Sequence, residues 1–359
     1  MIAAAATLGS RALSLTQVGQ AVNRRLPCEA RTAAQAPLSL FEQPRSTAPG
    51  WHLSPANPVL APLGTPGWET YSLSDVCVER MPDASLAMWY STAGMLGHGI
   101  GLAIDAGGGG DAWTRVGTDP VLMPDDPARF EVGRPSLVRT AAGWRMWYTV
   151  AQRHFGPDSE VPASWIETAT STDGRHWDKE GGPVLSPRDT WEGVGLACSN
   201  VRVDSASGLY HMWYSAASVD DPEPHAVGLA TSPDGIEWTR RPGNPVFTPA
   251  QGWEDYLIGS SQVVQVNESF YAFYLGFQRD PYVGAIGMAR SRDGVTNWEK
   301  HTVNPILAPG RPCTWNASMV YKPAPLWDPA KQRWDVWFNA SMLLNREERI
   351  GHAWSESIW

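Results

Sequence analysis

Short runs of alternating hydrophobic and polar positions return in the same order along most of the chain. The most regular run is aromatic: Met88-Trp89-Tyr90-Ser91, Met146-Trp147-Tyr148-Thr149, Met212-Trp213-Tyr214-Ser215, Ala272-Phe273-Tyr274-Leu275 and Val336-Trp337-Phe338-Asn339, about sixty residues apart. Upstream of four copies lies a strand of small and apolar residues, at 75–79, 134–139, 199–203 and 260–265. Downstream comes a third strand, at 99–104, 166–171, 227–232, 286–291 and 350–355. A fixed long period predicts one supersecondary unit stacked repeatedly, and this length accommodates a four-stranded propeller blade. The expected fold is all-β, a five-bladed β-propeller with four-stranded antiparallel blades over residues 46–359.

Three of the third strands run into one turn signature. It reads Ser171-Thr172-Asp173-Gly174 before Trp177, Ser232-Pro233-Asp234-Gly235 before Trp238, and Ser291-Arg292-Asp293-Gly294 before Trp298. Asp-Gly suits a tight turn, because glycine accepts positive φ and the aspartate bonds nearby backbone N–H groups. Each blade closes with a proline segment: Asn57-Pro58-Val59-Leu60, Asp119-Pro120-Val121-Leu122, Gly182-Pro183-Val184-Leu185, Asn244-Pro245-Val246-Phe247 and Asn304-Pro305-Ile306-Leu307. The copy at Asn57 precedes the first complete blade, whereas the last blade ends near Trp354. Residues 51–60 are therefore expected to supply the outer strand of the fifth blade, so that the N-terminal strand closes the ring and removes exposed sheet edges. Residues 1–45 lack the repeat, are rich in alanine and carry Arg11, Arg24, Arg25, Arg31 and Arg45. They read as a flexible or partly helical N-terminal extension.

Composition then narrows the function. Nineteen Trp, 34 Gly and 30 Pro fit many short strands joined by tight turns. A net charge of −9 without a basic stripe excludes a nucleic-acid partner. No apolar run approaches the roughly 18–20 residues that span a bilayer, so no membrane partner is expected. The opening segment has no basic start and Arg11 interrupts it early, unlike a secretory signal. Cys28, Cys77, Cys198 and Cys313 form no C-x-x-C pair, and Cys77 and Cys198 fall on inner strands of blades that are not neighbours. No disulfide is expected between them; a reducing cytoplasm is the expected location, with export as the alternative. The sequence has no P-loop, no G-x-G-x-x-G after a strand, no G-x-S-x-G elbow and no close-spaced histidine pair, so neither cofactor nor metal is expected.

Candidate chemistry collects where the repeat is broken. The entries to the inner strands and the loops between second and third strands share one face, and those loops are long and polar in several blades. They contain Arg153-His154, Asp220-Asp221 with His225, and Gln278-Arg279-Asp280. The position facing the channel mouth reads Asp75, Arg134, Ser199 or Asn200, Ser260 and Asn316 from blade to blade. Asp75 would face Arg134 of the next blade, and a neighbouring cation keeps a carboxylate ionised, as a base, a nucleophile or a structural ion pair requires. An aromatic-Glu pair recurs at Trp68-Glu69, Phe130-Glu131, Trp191-Glu192 and Trp253-Glu254. Recurrence favours a shared packing task, although a carboxyl beside an aromatic wall also suits a proton donor. Asp255 occurs in one blade alone. The candidates are thus Asp75, Glu192, Glu254 and Asp255 for catalysis, with Arg134, His154, Asn200, His225, Arg279, Asp280 and Asn316 for substrate.

The Met-Trp-Tyr-Ser strands, Ser-x-Asp-Gly hairpins and Asn-Pro-Val-Leu closers resemble those of the five-bladed β-propeller glycoside hydrolases, the arabinanase, β-xylosidase and invertase-like superfamily, over residues 51–359. The resemblance implies two Asp and one Glu around the axis. Asp75 matches the base or nucleophile, Glu192 or Glu254 the acid, and nothing matches the second Asp, because later blades carry Arg, Ser or Asn there. Arg279-Asp280-Pro281 repeats the letters of an invertase motif but falls on a loop of blade 4. The expected function is a glycoside hydrolase-like enzyme that acts on a carbohydrate at the channel mouth with paired carboxylates. The alternatives are a lyase, cyclase or transferase acting on a small anion, and a non-catalytic sugar-binding propeller.

Overall fold

In the computed structural model, the described residues are 47–126, 129–152, 163–204, 207–217, 224–280, 282–311, 314–342 and 347–359. The expected extension at 1–45, and His154, lie outside them. The fold is all-β, and its one described helix is a 3-10 turn at Thr190–Glu192.

The burial pattern explains the repeated strands. β2 (Ser72–Arg80) alternates, burying Leu73, Val76 and Val78, whereas β3 (Leu86–Gly94) is buried continuously through Thr92. Continuous burial marks a strand covered on both faces, and alternation marks a strand with one wet face. The first unit is completed by β4 (Gly97–Asp105) and β5 (Thr114–Arg115), all joined antiparallel. β6 (Arg129–Thr140), β7 (Gly143–Gln152), β8 (Ser164–Ser171) and β9 (Asp178–Lys179) repeat the arrangement. So do β10 (Gly195–Val203), β11 (Tyr210–Ala217), β12 (Pro224–Ser232) and β13 (Thr239–Arg240). The next set is β14 (Leu257–Val266), β15 (Ser269–Gln278), β16 (Val283–Ser291) and β17 (Glu299–Lys300). In the last, β18 (Met319–Asp328), β19 (Arg333–Ser341) and β20 (Glu348–Ser355) pair in order, and β1 (Trp51–Leu53) from the start of the chain pairs with β20. Single parallel bridges connect consecutive units, so the strands join into sheets of twelve and eight. The first strands touch in cyclic order: β2 contacts β6, β6 contacts β10, β10 contacts β14, β14 contacts β18, and β18 contacts β2.

Two repeated contacts hold the units together. The indole N–H groups of Trp89, Trp147 and Trp337 donate to the carbonyls of Gly174, Gly235 and Gly110 in the following unit, at 2.9, 2.8 and 2.9 Å. The glycines are left-handed, and a Cβ on Gly110 would lie 2.7 Å from the Trp337 ring. The glycine run at 107–110 is therefore a turn for this indole, with Asp105 accepting from the N–H groups of Gly107 and Gly110. The second contact is the closing segment. The side-chain amides of Asn57, Asn244 and Asn304 each donate to and accept from one backbone position of a third strand, at His352, Leu229 and Met288 respectively. The following residues bridge the same strands at Leu60–Ile350, Val227–Phe247 and Ile286–Leu307. No helix among the described residues is long and apolar enough to cross a membrane.

Candidate active site

Each first strand carries a β-bulge near its start, and the bulged residues converge on one cleft. The register shifts fall between Ser74 and Cys77, Gly133 and Ser136, Cys198 and Asn200, Gly259 and Gln262, and Tyr321 and Ala324. Asp75, Arg134, Ser260 and Lys322 adopt positive φ there, between 46° and 52°. Non-glycine residues rarely do so, and bulges commonly re-aim side chains at functional sites. Backbone hydrogen bonds hold the bulges. The N–H of Arg134 donates to Ser91 Oγ at 2.8 Å, that of Cys198 to Thr149 Oγ1 at 2.9 Å, that of Ser260 to Ser215 Oγ at 2.9 Å, and that of Asp75 to Asn339 Oδ1 at 3.0 Å. The acceptors occupy the last place of the aromatic motif, so the preceding unit shapes the site of the next.

Asp75, Arg134, Cys198, Ser260, Gln262 and Lys322 are the polar or thiol side chains around the cleft, whose volume is about 20 Å³. Asp75 lies between two cations. Lys322 Nζ donates to its Oδ2 at 2.9 Å, Ser74 Oγ donates to the same oxygen at 2.8 Å, and Arg134 Nε stands 3.9 Å from Oδ1. Burial pushes this carboxyl upward, but the charges of Lys322 and Arg134, with the hydrogen bonds from Lys322 and Ser74, outweigh it. Asp75 therefore stays below the usual carboxylate range and is ionised near neutral pH. Burial drives the thiol of Cys77 up to about 12 and raises that of Cys198 further, with Cys77 adding to the latter. Both thiols are free and protonated, which removes a thiolate nucleophile from the chemistry.

The register differs from the sequence expectation in two units. The third presents Cys198 and not Asn200 at the cleft, because Cys198 follows the Ala197–Ser215 pair as Asp75 follows the Ser74–Ser91 pair. The fifth presents Lys322 and not Asn316. Asn316 sits in the loop before β18, where it accepts from Thr314 Oγ1 at 2.8 Å. Lys322 was legible in one respect: Lys322-Pro323 repeats Arg134-Pro135, and proline suits a bulge that makes no ladder bond. Asn200 lies deeper, bridging Gln262 Oε1 at 3.0 Å and the Val263 N–H at 3.1 Å.

The recurring glutamates divide into two kinds. Glu192 is buried and accepts from Tyr214 Oη at 2.7 Å, from two nitrogens of Arg240 at 2.6 and 2.9 Å, and from the backbone N–H groups of Arg188 and Asp189. Glu69 is held by Tyr90 and Arg115, at 2.6 Å each. Glu254 is held by Lys300 beside Tyr274. In these three the tyrosine of the aromatic motif and a cation of the outer strand fix the glutamate inside its own unit. In the β6–β9 unit, Tyr148 donates instead to Glu167 at 3.2 Å, which also accepts from Arg129 at 3.0 Å and Trp165 at 2.8 Å. Glu131 is thereby released from that task, and it accepts from Arg134 Nη1 at 2.7 Å. Asp75, Arg134 and Glu131 thus form a chain of alternating charge, and Glu131 was the functional candidate that recurrence concealed.

The remaining candidates do not line the cleft. Asp255 is exposed and accepts from the Arg279 N–H at 3.0 Å, while the Arg279 guanidinium covers the Tyr256 ring at 4.0 Å. Asp280 is exposed beside it, and its carbonyl accepts from Gln278. His225 Nε2 lies 2.8 Å from the Trp191 carbonyl. His352 is buried on strand β20 between Asp111 and Asp335, stacked on Trp337. Among the described residues no cluster of His, Cys, Asp or Glu is arranged to hold a metal ion.

No family profile and no curated protein sequence matches the chain. Solved structures do. A glycoside hydrolase superimposes with a TM-score of 0.67 at 20% identity, covering 88% of this chain and 93% of that one. A glycosyl hydrolase from Bacteroides ovatus gives 0.64 at 17%, over 85% and 93%. A member of "the GH130 family of mannoside phosphorylases", which "contains glycoside hydrolases that target beta-1,2 mannosidic linkages in Candida mannan", gives 0.63 at 17%, over 87% and 96%. At these identities the likeness establishes the fold. The chain has the glycoside hydrolase-like propeller fold.

Proposed function

We propose that this protein is a glycoside-active enzyme, that its repeated units are the blades of a five-bladed propeller closed by β1, and that its centre is the Asp75 cleft. The observation that carries the reading is the Asp75–Arg134–Glu131 chain at the bulges where the first strands meet. Asp75, kept ionised by Lys322 and Arg134, is the base or nucleophile. Glu131 replaces Glu192 and Glu254 as the proton-donating carboxylate, because those two serve the scaffold. Arg134 competes with substrate for Glu131, so hydroxyl groups that engage its guanidinium would free the carboxyl to act. Lys322, Ser260 and Gln262 supply further hydrogen bonds to hydroxyls. Glycosidic bond cleavage needs two carboxyl groups; Asp75 lines the cleft and Glu131 stands behind Arg134, 2.7 Å from its guanidinium.

A second reading rests on the two cations. Arg134 and Lys322 line a cleft in which Asp75 is the one lining carboxylate, which also suits a small anionic substrate or co-substrate. Aryl-glycosides and short oligosaccharides, assayed with and without phosphate, decide between them. Turnover lost in both Asp75→Asn and Glu131→Gln supports the first reading. Turnover only with phosphate, or a thermal shift from phosphate larger than from any neutral sugar, supports the second. Wild-type rates in both variants would sink the assignment of the site.

A further inference from the structure

One seam has the indole but lacks its acceptor, and the gap coincides with a second cleft. Trp213 is the third unit's counterpart of Trp89, Trp147 and Trp337, and it is 1% exposed. Its indole N–H has no protein acceptor. The cause lies in the next hairpin. Glycine precedes tryptophan by three residues at Gly174–Trp177 and Gly235–Trp238, but by four at Gly294–Trp298. The extra residue is accommodated by Asn297 at φ 50°, and Ser291 Oγ turns to donate to the Thr296 carbonyl at 2.6 Å. A Cβ on Gly174 or Gly235 would meet the indole of the preceding unit at 3.0 or 2.6 Å; on Gly294 it would meet Phe270 at 2.8 Å. The turn has moved off the indole and onto its own unit's ring.

The cleft left at this seam measures about 180 Å³, against about 20 Å³ for the Asp75 cleft. Val264 and Phe270 form apolar wall over the buried Trp213 and Val263; Arg202, Asp204, His211 and Gln265 carry its polar groups. Arg202 Nε is a second buried donor without a protein acceptor. The two clefts share no lining residue, but they adjoin on β14, where Gln262 lines one and Val263 the other with side chains on opposite faces of the strand. Buried donors without acceptors are costly, and a ligand oxygen relieves that cost. Apolar wall beside donors and acceptors of both signs matches the C–H face and hydroxyl edge of a sugar, and the Asp204 carboxylate disfavours an anion.

We propose that this seam is a second binding site for a neutral carbohydrate, separate from the Asp75 cleft, with Trp213 Nε1 and Arg202 Nε as donors and Gln265 as the exposed contact. The test is a titration of the 15N-labelled full chain with mannobiose, and in parallel with sodium phosphate, in the wild type and in Asp75→Asn. The Trp213 indole resonance, assigned with Trp213→Phe, should shift saturably with mannobiose in both proteins and stay still with phosphate. Gln265→Ala, on an exposed position, should weaken binding about 2- to 10-fold, the worth of one hydrogen bond. Trp213→Phe shrinks a buried ring as Trp147→Phe does, but it removes a donor without an acceptor, so it should lower Tm less than Trp147→Phe does. An indole resonance unmoved by mannobiose, which would mean water alone at the N–H, overturns the proposal. So does movement with phosphate alone, a shift that vanishes in Asp75→Asn, or a Trp213→Phe variant as destabilised as Trp147→Phe.

Discussion

Glu192 and Glu131 occupy the same place in the repeat and have opposite surroundings. Around Glu192, a tyrosine, a bidentate arginine and two backbone N–H groups satisfy a carboxylate with no exposed surface. Around Glu131, the tyrosine has been taken by Glu167, and the carboxylate faces Arg134 at the cleft. A repeat hides function well, because a residue that keeps its letter can change its task when a neighbour assumes the old one. The substitution that matters here is at Glu167, which lies on the third strand of the unit, directly opposite Tyr148 in the ladder.

The largest effects should separate these two glutamates. Glu131→Gln is expected to cut kcat/KM on a glycoside substrate by about 10²–10⁴, the usual contribution of a positioned proton donor. Its Tm should change little, and unchanged kinetics would return Glu131 to the scaffold. Glu192→Ala should behave in the opposite way. Removing one partner of a buried, hydrogen-bonded ion pair costs about 3–5 kcal/mol, so chemical denaturation should show a large loss, or the protein should fail to fold. A Glu192→Ala protein of normal stability and no activity would reverse the assignment.

A smaller effect is pH-dependent. Asp75 has a depressed pKa in the folded protein, so its ionisation stabilises the fold above its unfolded value near 4, and that contribution disappears as pH falls through the folded value. The stability advantage of the wild type over Asp75→Asn should therefore shrink as pH is lowered from about 5 towards 3. Parallel Tm curves across that range would mean that Lys322 and Arg134 do not hold the carboxylate as described. The smallest effect is expected at Ser91→Ala, which removes the hydrogen bond to the Arg134 N–H. A loss of about 0.5–1.5 kcal/mol is expected, together with lower activity through a misplaced Arg134. Leu275, the motif's one apolar residue at that place, provides no such bond for the Lys322 bulge.

Much of the architecture was written in the sequence. The aromatic strands, the Asp-Gly turns and the proline closers fixed the order and pairing of strands, because each records a local requirement: burial on both faces, positive φ, or an amide clamping a neighbouring backbone. The pairing of β1 with β20 followed from one closer standing ahead of the first unit. Asp75 and Arg134 were legible too, since each stands 12 or 13 residues before the aromatic motif of its unit. Lys322 was legible through its proline alone, because the bulge register in the last unit depends on which residues face β19, and Asn316 offered a polar residue at a plausible distance.

What the tertiary structure alone decided is which equivalent residues are spent on the scaffold. The sequence determines that a glutamate follows an aromatic residue in four units. It cannot state that Tyr148 bonds Glu167, that Arg134 spans from Glu131 to Asp75 of another unit, or that Gly294 has left Trp213 without an acceptor. Each of these depends on distances between groups far apart in the chain, and hydrogen-bond energy falls steeply over a few tenths of an ångström. Local pattern therefore sets the units, and only their packing assigns the charges and donors that remain for chemistry.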